Sequence, residues 1–321
     1  MKPQQTSSES LLMERVFSSD REGRYSQHLE FLSNPDPNMW RRIDFPLEIS
    51  LELTNYCNLR CVMCPNPSMK RNRGYMSDDL FKTIVNGLSG ETGFLFLPQG
   101  FGEPLLHRDL FLLTAFASKS GIKPMVLLSN GLLLDEAKLT GVMNTIDILI
   151  VTIDGVTDRT YESVRVGGNL RTTTRNIERF LLARGHRKLP YLVLRMIDMK
   201  ETKAEIAPFQ DYWRDRIRET DIIQISAYND WTGTVKPHEN QMNERKPRHP
   251  CRMLWKNLSV YHDGRVTPCC FDAEGELPIG NASEESLRDI WEGAPLKRLR
   301  DLHLAREFEK IPICHRCSAW F

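Results

Sequence analysis

Between residues 48 and 226, short runs of strand character alternate with stretches of helical period. Glu48-Ile49-Ser50-Leu51-Glu52-Leu53 places polar and apolar residues by turns and reads as a strand. Further strands are expected over 93–97, 124–128, 146–152, 191–195 and 222–226, with helices between them over 77–87, 110–119, 134–143, 172–183 and 203–216. Ser77 followed by Asp78 and Asp79 is a helix start: a capping oxygen, then acidic residues favoured by the dipole. Parallel neighbours need a crossover between them, so strands alternating with helices imply a parallel sheet. Beyond about residue 229 the pattern changes. Residues 230–250 are rich in Lys, Asn, Glu and Pro and read as a connector, and 259–267 reads as a hairpin around Asp263-Gly264. Ser283, with Glu284 and Glu285 behind it, is expected to start a helix through Trp291. Residues 1–45 are polar and mixed, with a possible helix over 9–17 and a break at Asn34-Pro35-Asp36-Pro37. The expected division is an N-terminal arm over 1–45, an α/β unit over 46–229 and a small cysteine-rich α+β domain over 230–321.

Composition narrows the setting. The 43 basic and 42 acidic residues nearly cancel, which argues against nucleic acid or an anionic membrane as partner. No apolar run approaches the roughly 18–20 residues needed to span a bilayer, and the polar start Met1-Lys2-Pro3 lacks the apolar core of a secretory signal. The eight cysteines are grouped near motifs, as expected of metal ligands in a reducing cytoplasm.

The candidate chemistry starts at Cys57-Asn58-Leu59-Arg60-Cys61-Val62-Met63-Cys64, just after the first strand. Three thiolates at this spacing can hold three irons of a [4Fe–4S] cluster and leave the fourth open. A structural zinc wants a fourth ligand close by, and the next cysteine is Cys251. The stretch resembles the cluster motif of the radical S-adenosylmethionine (SAM) enzymes. The resemblance implies an open (β/α)6 partial TIM barrel and a cluster whose open iron chelates SAM. It also implies that Met63 packs near adenine. In parallel β/α folds ligands gather at the carboxyl ends of the strands, where this cysteine loop lies.

The other strand ends extend the resemblance. Gly102 and Glu103, in Gln99-Gly100-Phe101-Gly102-Glu103-Pro104, match the family's Gly-Gly-Glu segment that holds the SAM amino group, although Phe101 replaces the first glycine of that pair. Ser129-Asn130-Gly131 is similar to a segment that reaches the ribose. Thr152-Ile153-Asp154-Gly155 and the loop from Arg165 to Gly168 look like family segments in which Thr152 faces SAM and Asp154 faces SAM or substrate. Arg165 is a candidate partner for a carboxylate, or a surface ion pair. Arg195, late in the fifth strand, needs a partner inside a barrel, and the SAM carboxylate is the candidate.

Five cysteines remain. Cys251, Cys269, Cys314 and Cys317 can complete a four-thiolate site, for iron–sulfur or zinc on chemistry alone. Their order, with Gly264-Arg265-Val266-Thr267-Pro268-Cys269, resembles the shortened SPASM domain called twitch, which carries one auxiliary [4Fe–4S] cluster. Cys270 is left over: either a buried thiol or alternate ligand, or a hydrogen-atom donor to a substrate radical. The expectation is hydrogen abstraction from a carbohydrate- or aminocyclitol-like small molecule, giving dehydrogenation or epimerisation, with a flavodoxin- or ferredoxin-type reductant. A peptide maturase and a non-catalytic iron–sulfur or zinc protein are the alternatives.

Overall fold

The computed structural model describes residues 31, 34, 36–235 and 248–318. The helix expected over 9–17 lies outside the described residues.

Six parallel strands follow one another in chain order: β1 (Glu48–Leu51), β2 (Leu95–Leu97), β3 (Val126–Ser129), β4 (Ile148–Thr152), β5 (Tyr191–Asp198) and β6 (Ile222–Ala227). β1 pairs with β2, and β3, β4, β5 and β6 pair in sequence, all parallel. A single bridge between Phe96 and Met125 joins the two groups. The hairpin around Gly264 forms from β7 (Asn257–Val260) and β8 (Arg265–Thr267), with β9 (Gly280–Asn281) beside it. β7 also lies parallel against the free side of β1, so the C-terminal part extends the same sheet. Sequence reading separated these two parts because strand period carries no record of the partner.

The helices are α1 (Pro37–Trp40), α2 (Asp78–Gly87), α3 (Leu110–Lys119), α4 (Glu136–Thr145), α5 (Asp158–Val164), α6 (Leu170–Arg184), α7 (Ile206–Arg214), α8 (Leu287–Glu292), α9 (Ala294–Leu304) and α10 (Pro312–Arg316). The Ser77 hydroxyl accepts from Leu80 N at the start of α2, as its sequence signature requires. One start is displaced. Ser283 is held in a turn, its backbone and hydroxyl both donating to Asn281 Oδ1, and Ser286 caps α8 instead. The short α5 escaped sequence reading because only Tyr161 and Val164 on it are buried, too few for a period to show. No described helix is long and apolar enough to cross a membrane.

Alternation along each strand builds two apolar layers. Ile49 and Leu51 of β1, with Leu149 and Val151 of β4, face the helices and join the main core around Phe81, Phe96 and Leu127. The opposite faces form a smaller apolar group of Leu95, Val126, Ile148, Ile150, Val193 and Ile222, which lines a cavity of about 400 Å³. Glu48, Ser50 and Glu52, the polar positions of the first strand pattern, point into this cavity. The sheet therefore wraps one chamber, and the loops after β1 to β5 collect at one end of it.

Candidate active site

The cysteine loop leaves β1 and is pinned to the segment after α5: Arg60 N donates to Val166 O at 2.8 Å and Val62 N to Val164 O at 2.9 Å. Cys57, Cys61 and Cys64 thereby fall into one group with Leu59, Met63 and Val164. Burial pushes the Cys57 thiol up to about 11 and the Cys64 thiol up to about 12. Three thiols gathered on one loop, with no fourth beside them among the described residues, have a donor set that fits three irons of a cluster.

Arg165 lies behind this loop. Its Nε donates to Asp154 Oδ2 at 2.5 Å, and its Nη1 reaches the Cys61 sulfur at 3.6 Å. The other Asp154 oxygen accepts from Ile197 N at 2.6 Å. Asp154 is wholly buried and Arg165 nearly so, so the pair is internal rather than a surface bridge. Asp154 thus faces Arg165 and the backbone of β5, and it is the carboxylate that Arg165 pairs with.

Glu103 is also turned inward. Its carboxylate accepts from Ser129 Oγ at 2.8 Å, Leu105 N at 3.1 Å and Asn130 N at 2.9 Å, while burial pulls its pKa upward. These bonds lock the ends of β2 and β3 together. A Cβ on Gly102 would collide with the carbonyls of Thr54 and Tyr56, and one on Gly100 would meet the Glu52 side chain, so both positions require glycine. Thr152 Oγ1 donates to Ser129 O at 3.4 Å. Asn130 Nδ2 donates to Asn58 Oδ1 at 2.9 Å, and Asn58 Nδ2 is buried with no partner. That unused donor beside the cysteines suits an acceptor on a bound ligand. Arg195 donates through Nε to Gln224 Oε1 at 2.8 Å, and both line the cavity.

The rim of the cavity rests on Glu52. Arg71 holds it with two bonds, at 2.9 and 2.8 Å, and sits 4.1 Å from the centre of the Tyr261 ring. Phe101 N and His262 Nδ1 complete its shell. Burial alone would raise the Glu52 pKa, but the bonds from His262 and Arg71 outweigh it and keep the carboxyl low. Trp231 packs edge-on against Phe101 and Phe271, and its Nε1 donates to Met63 O at 2.7 Å.

The second cysteine set comes from three segments. Cys251 lies near enough to Cys269 and Cys314, and Cys317 near enough to Cys251 and Cys314, to disfavour ionisation there, and burial pushes Cys251 and Cys314 up to about 12. Thiols brought near Cys251 from these segments have the donor chemistry of an iron–sulfur site. His303, on α9, accepts from Cys251 N at 3.1 Å and contacts the Cys314 sulfur at 3.4 Å through Nε2. Arg248 Nη2 donates to the carbonyls of Cys314, His315 and Cys317. Cys270 lines the cavity, and its charged neighbours are Glu48 and Lys256, themselves paired at 2.9 Å.

Comparison with known proteins identifies the family and the cofactors. The model of the Radical SAM superfamily matches residues 51–209, and that of SPASM, an iron–sulfur cluster-binding domain, matches 251–318. The chain belongs to the radical SAM superfamily. As a radical SAM enzyme with a SPASM domain it uses SAM, one SAM-binding [4Fe–4S] cluster and one auxiliary [4Fe–4S] cluster. Among curated relatives it is 25% identical to the PqqA peptide cyclase of Gluconobacter oxydans, with 78% of each chain covered. It is also 25% identical to the AdoMet-dependent heme synthase of Methanosarcina barkeri, over 85% of this chain and 91% of that one. Among solved structures, BtrN in complex with AdoMet and 2-DOIA aligns with a TM-score of 0.61 at 19% identity, over 86% of this chain and 94% of BtrN. Streptococcus suis SuiB bound to the precursor peptide SuiA aligns with a TM-score of 0.67 at 16% identity, over 86% of this chain and 70% of SuiB. At these identities the structural likeness speaks for the fold.

Three residues of this radical SAM chain escaped sequence reading. Asn58 carried a signal, since it lies between the first two cysteines of the loop. Trp231 and His303 carried none, because each reaches its cysteine segment only through the fold.

Proposed function

We propose that the protein removes a hydrogen atom from a C–H bond of a carbohydrate- or aminocyclitol-like molecule held in the cavity, and that the outcome is dehydrogenation or epimerisation. In this reading the sheet is an open (β/α)6 partial TIM barrel over 46–229, preceded by an arm over 1–45 and followed by a twitch-type domain over 230–321. Cys57, Cys61 and Cys64 hold the SAM cluster. Met63, Gly102, Asn130 and Thr152 lie toward SAM, with Asn58 added and Glu103 and Ser129 bracing them. A cytoplasmic setting and a flavodoxin- or ferredoxin-type reductant belong to the same proposal.

The observation that carries it is Cys270, a thiol that lines the cavity and that burial holds protonated, with its pKa pushed up to about 12. When bound, SAM and its cluster supply a 5′-deoxyadenosyl radical that takes one hydrogen atom from substrate carbon. The chain's own residues govern the outcome. β1 runs from Glu48, beside Cys270, toward Glu52 and the cysteine loop, and four residues of strand span about 13 Å. A substrate between these levels presents one face to each. A hydrogen atom passing from Cys270 Sγ to the carbon breaks the S–H bond and forms a C–H bond of inverted configuration. One electron and one proton then restore the thiol. Dehydrogenation instead gives up one electron and a hydroxyl proton, for which Glu48 is a carboxylate acceptor at the cavity wall. Cys269, a ligand of the auxiliary cluster, places the electron partner of either route beside Cys270. The cavity volume suits a small polar ligand, and Gln99, Arg195, Gln224 and Asn257 supply hydrogen-bonding groups on its wall.

A peptide side chain entering past the aromatic rim of Phe101, Trp231 and Phe271 is the second reading, favoured by the names of the PqqA cyclase and of SuiB with its precursor peptide. The test is anaerobic turnover in heavy water with SAM and dithionite, against a panel of aminocyclitols and, separately, peptides. Formation of 5′-deoxyadenosine that depends on an aminocyclitol is expected; a response to peptides alone overturns the substrate class. Deuterium on carbon marks epimerisation, and a product short of two hydrogens marks dehydrogenation. If Cys270→Ala retains deuterium incorporation, the donor role fails.

A further inference from the structure

We infer that His303 sets the reduction potential of the auxiliary cluster by donating its Nε2–H to the sulfur of Cys314. The inference rests on Cys251 and Cys314 being ligands of that cluster. His303 stands one residue from the end of α9 and is 1% exposed, so its ring nitrogens are turned to the protein interior. Cys251 N lies 3.1 Å from Nδ1, and a backbone N–H only donates, so Nδ1 carries the lone pair. The ring proton is therefore on Nε2, which lies 3.4 Å from Cys314 Sγ. Phe308 packs edge-on against the imidazole at 5.1 Å and 70°, which keeps the ring from flipping to the other arrangement. One neutral imidazole thus links two thiol-bearing segments: it accepts from the backbone of one and donates to the sulfur of the other. The neighbouring cation does something different, since Arg248 binds the carbonyls of Cys314, His315 and Cys317 through Nη2.

The consequence is electrostatic. Reduction adds negative charge that spreads onto the thiolate sulfurs, and an N–H aimed at one of them stabilises the reduced form. His303 therefore makes the auxiliary cluster easier to reduce than four thiolates alone would. This acts on whichever direction the electron moves between the cluster and the neighbourhood of Cys270, and needs no contact between His303 and substrate.

The full-length chain with Cys57, Cys61 and Cys64 changed to alanine leaves the auxiliary cluster as the only signal in an EPR-monitored potentiometric titration. His303→Phe is expected to keep the iron of that site and shift its midpoint to more negative potential, and His303→Gln, which restores an N–H donor, is expected to recover part of the shift. An unshifted midpoint in His303→Phe at full iron content overturns the inference. Should His303→Phe lose the cluster, pulsed EPR of the reduced site in chain labelled with ¹⁵N-histidine decides the matter. Coupling to a histidine nitrogen that disappears in His303→Gln is expected; its absence, or its survival in that variant, overturns the inference. The ligand reading is tested apart from this: an auxiliary EPR spectrum unchanged in Cys314→Ala would remove Cys314 from the ligand set whatever His303 does.

Discussion

The two cysteine sites meet the same requirement, buried sulfur in need of compensation, by opposite means. At the loop after β1 the compensating group is a permanent cation, Arg165, whose Nη1 reaches Cys61 and whose charge is balanced by Asp154. At the C-terminal site the group on sulfur is a neutral imidazole, held by a backbone N–H on one side and an aromatic edge on the other. Arg165 keeps its charge at any pH a protein survives, so the SAM side keeps a fixed positive field beside a cluster that must also accept a charged ligand. On the auxiliary side the group on sulfur is a directional dipole, and the nearby cation, Arg248, is held on carbonyls instead. The difference is between a charge that pH does not remove and a neutral donor fixed in direction.

The largest effect expected from breaking this comparison is also the plainest. Replacing Cys57, Cys61 and Cys64 with alanine should remove about half the iron and all SAM cleavage, because no other described thiols gather at that loop. Iron analysis and 5′-deoxyadenosine assay read the two losses. Retained cleavage would mean that the SAM-binding iron sits elsewhere.

Next in size is the buried ion pair. Arg165→Met leaves Asp154 charged and unpaired at zero exposure, a change that destabilises by about 3–5 kcal/mol in comparable buried pairs. Denaturant unfolding of the metal-free chain measures it. Arg165→Met combined with Asp154→Leu removes both charges and should return most of that stability. The same double variant should still respond poorly to SAM, since the field beside Cys61 is gone. If it binds SAM as the unchanged protein does, Arg165 only maintains the fold, and the electrostatic contrast between the two sites collapses.

How far the sequence foretold this arrangement depended on how local each feature is. The β1 alternation, the Ser77 cap and the spacing of Cys57, Cys61 and Cys64 are set within a few residues, and all were legible. Radical SAM and SPASM membership followed from such local runs. The placement of β7 against β1 was not legible, because a parallel pairing across some 200 residues leaves no trace in either strand. The donors that surround Asp154 and Glu103 were not legible for a related reason. A carboxylate near a ligand loop looks like a ligand group until its donors are known, and those donors, Arg165, Ser129 and Asn130, come from other segments. Ser283 was read as a helix start because the competing Asn281 turn depends on that asparagine's side-chain rotamer, not on its identity alone.

The smallest effect asks whether the two sites are independent at all. Trp231 lies in the segment between them and holds an unfavourable backbone: Trp231 and Thr232 both have positive φ, 51° and 59°. Non-glycine residues in this region carry strain of about 1 kcal/mol or more each, so something must offset it. The Nε1 bond to Met63 O and the edge contacts with Phe101 and Phe271 supply that offset. Phe271 directly follows the Cys269-Cys270 pair, so this one indole touches both cysteine segments. Trp231→Phe keeps an aromatic ring between the two phenylalanines and deletes the N–H alone. A single hydrogen bond contributes about 1 kcal/mol, so SAM binding to the reconstituted protein should weaken about fivefold while the auxiliary midpoint stays where it was. Equilibrium SAM titration and the potentiometric measurement read the two quantities on one preparation. Unchanged SAM affinity would show that the carbonyl of Met63 needs no brace from the C-terminal side, and that the two cysteine sites share a sheet without sharing a mechanical link.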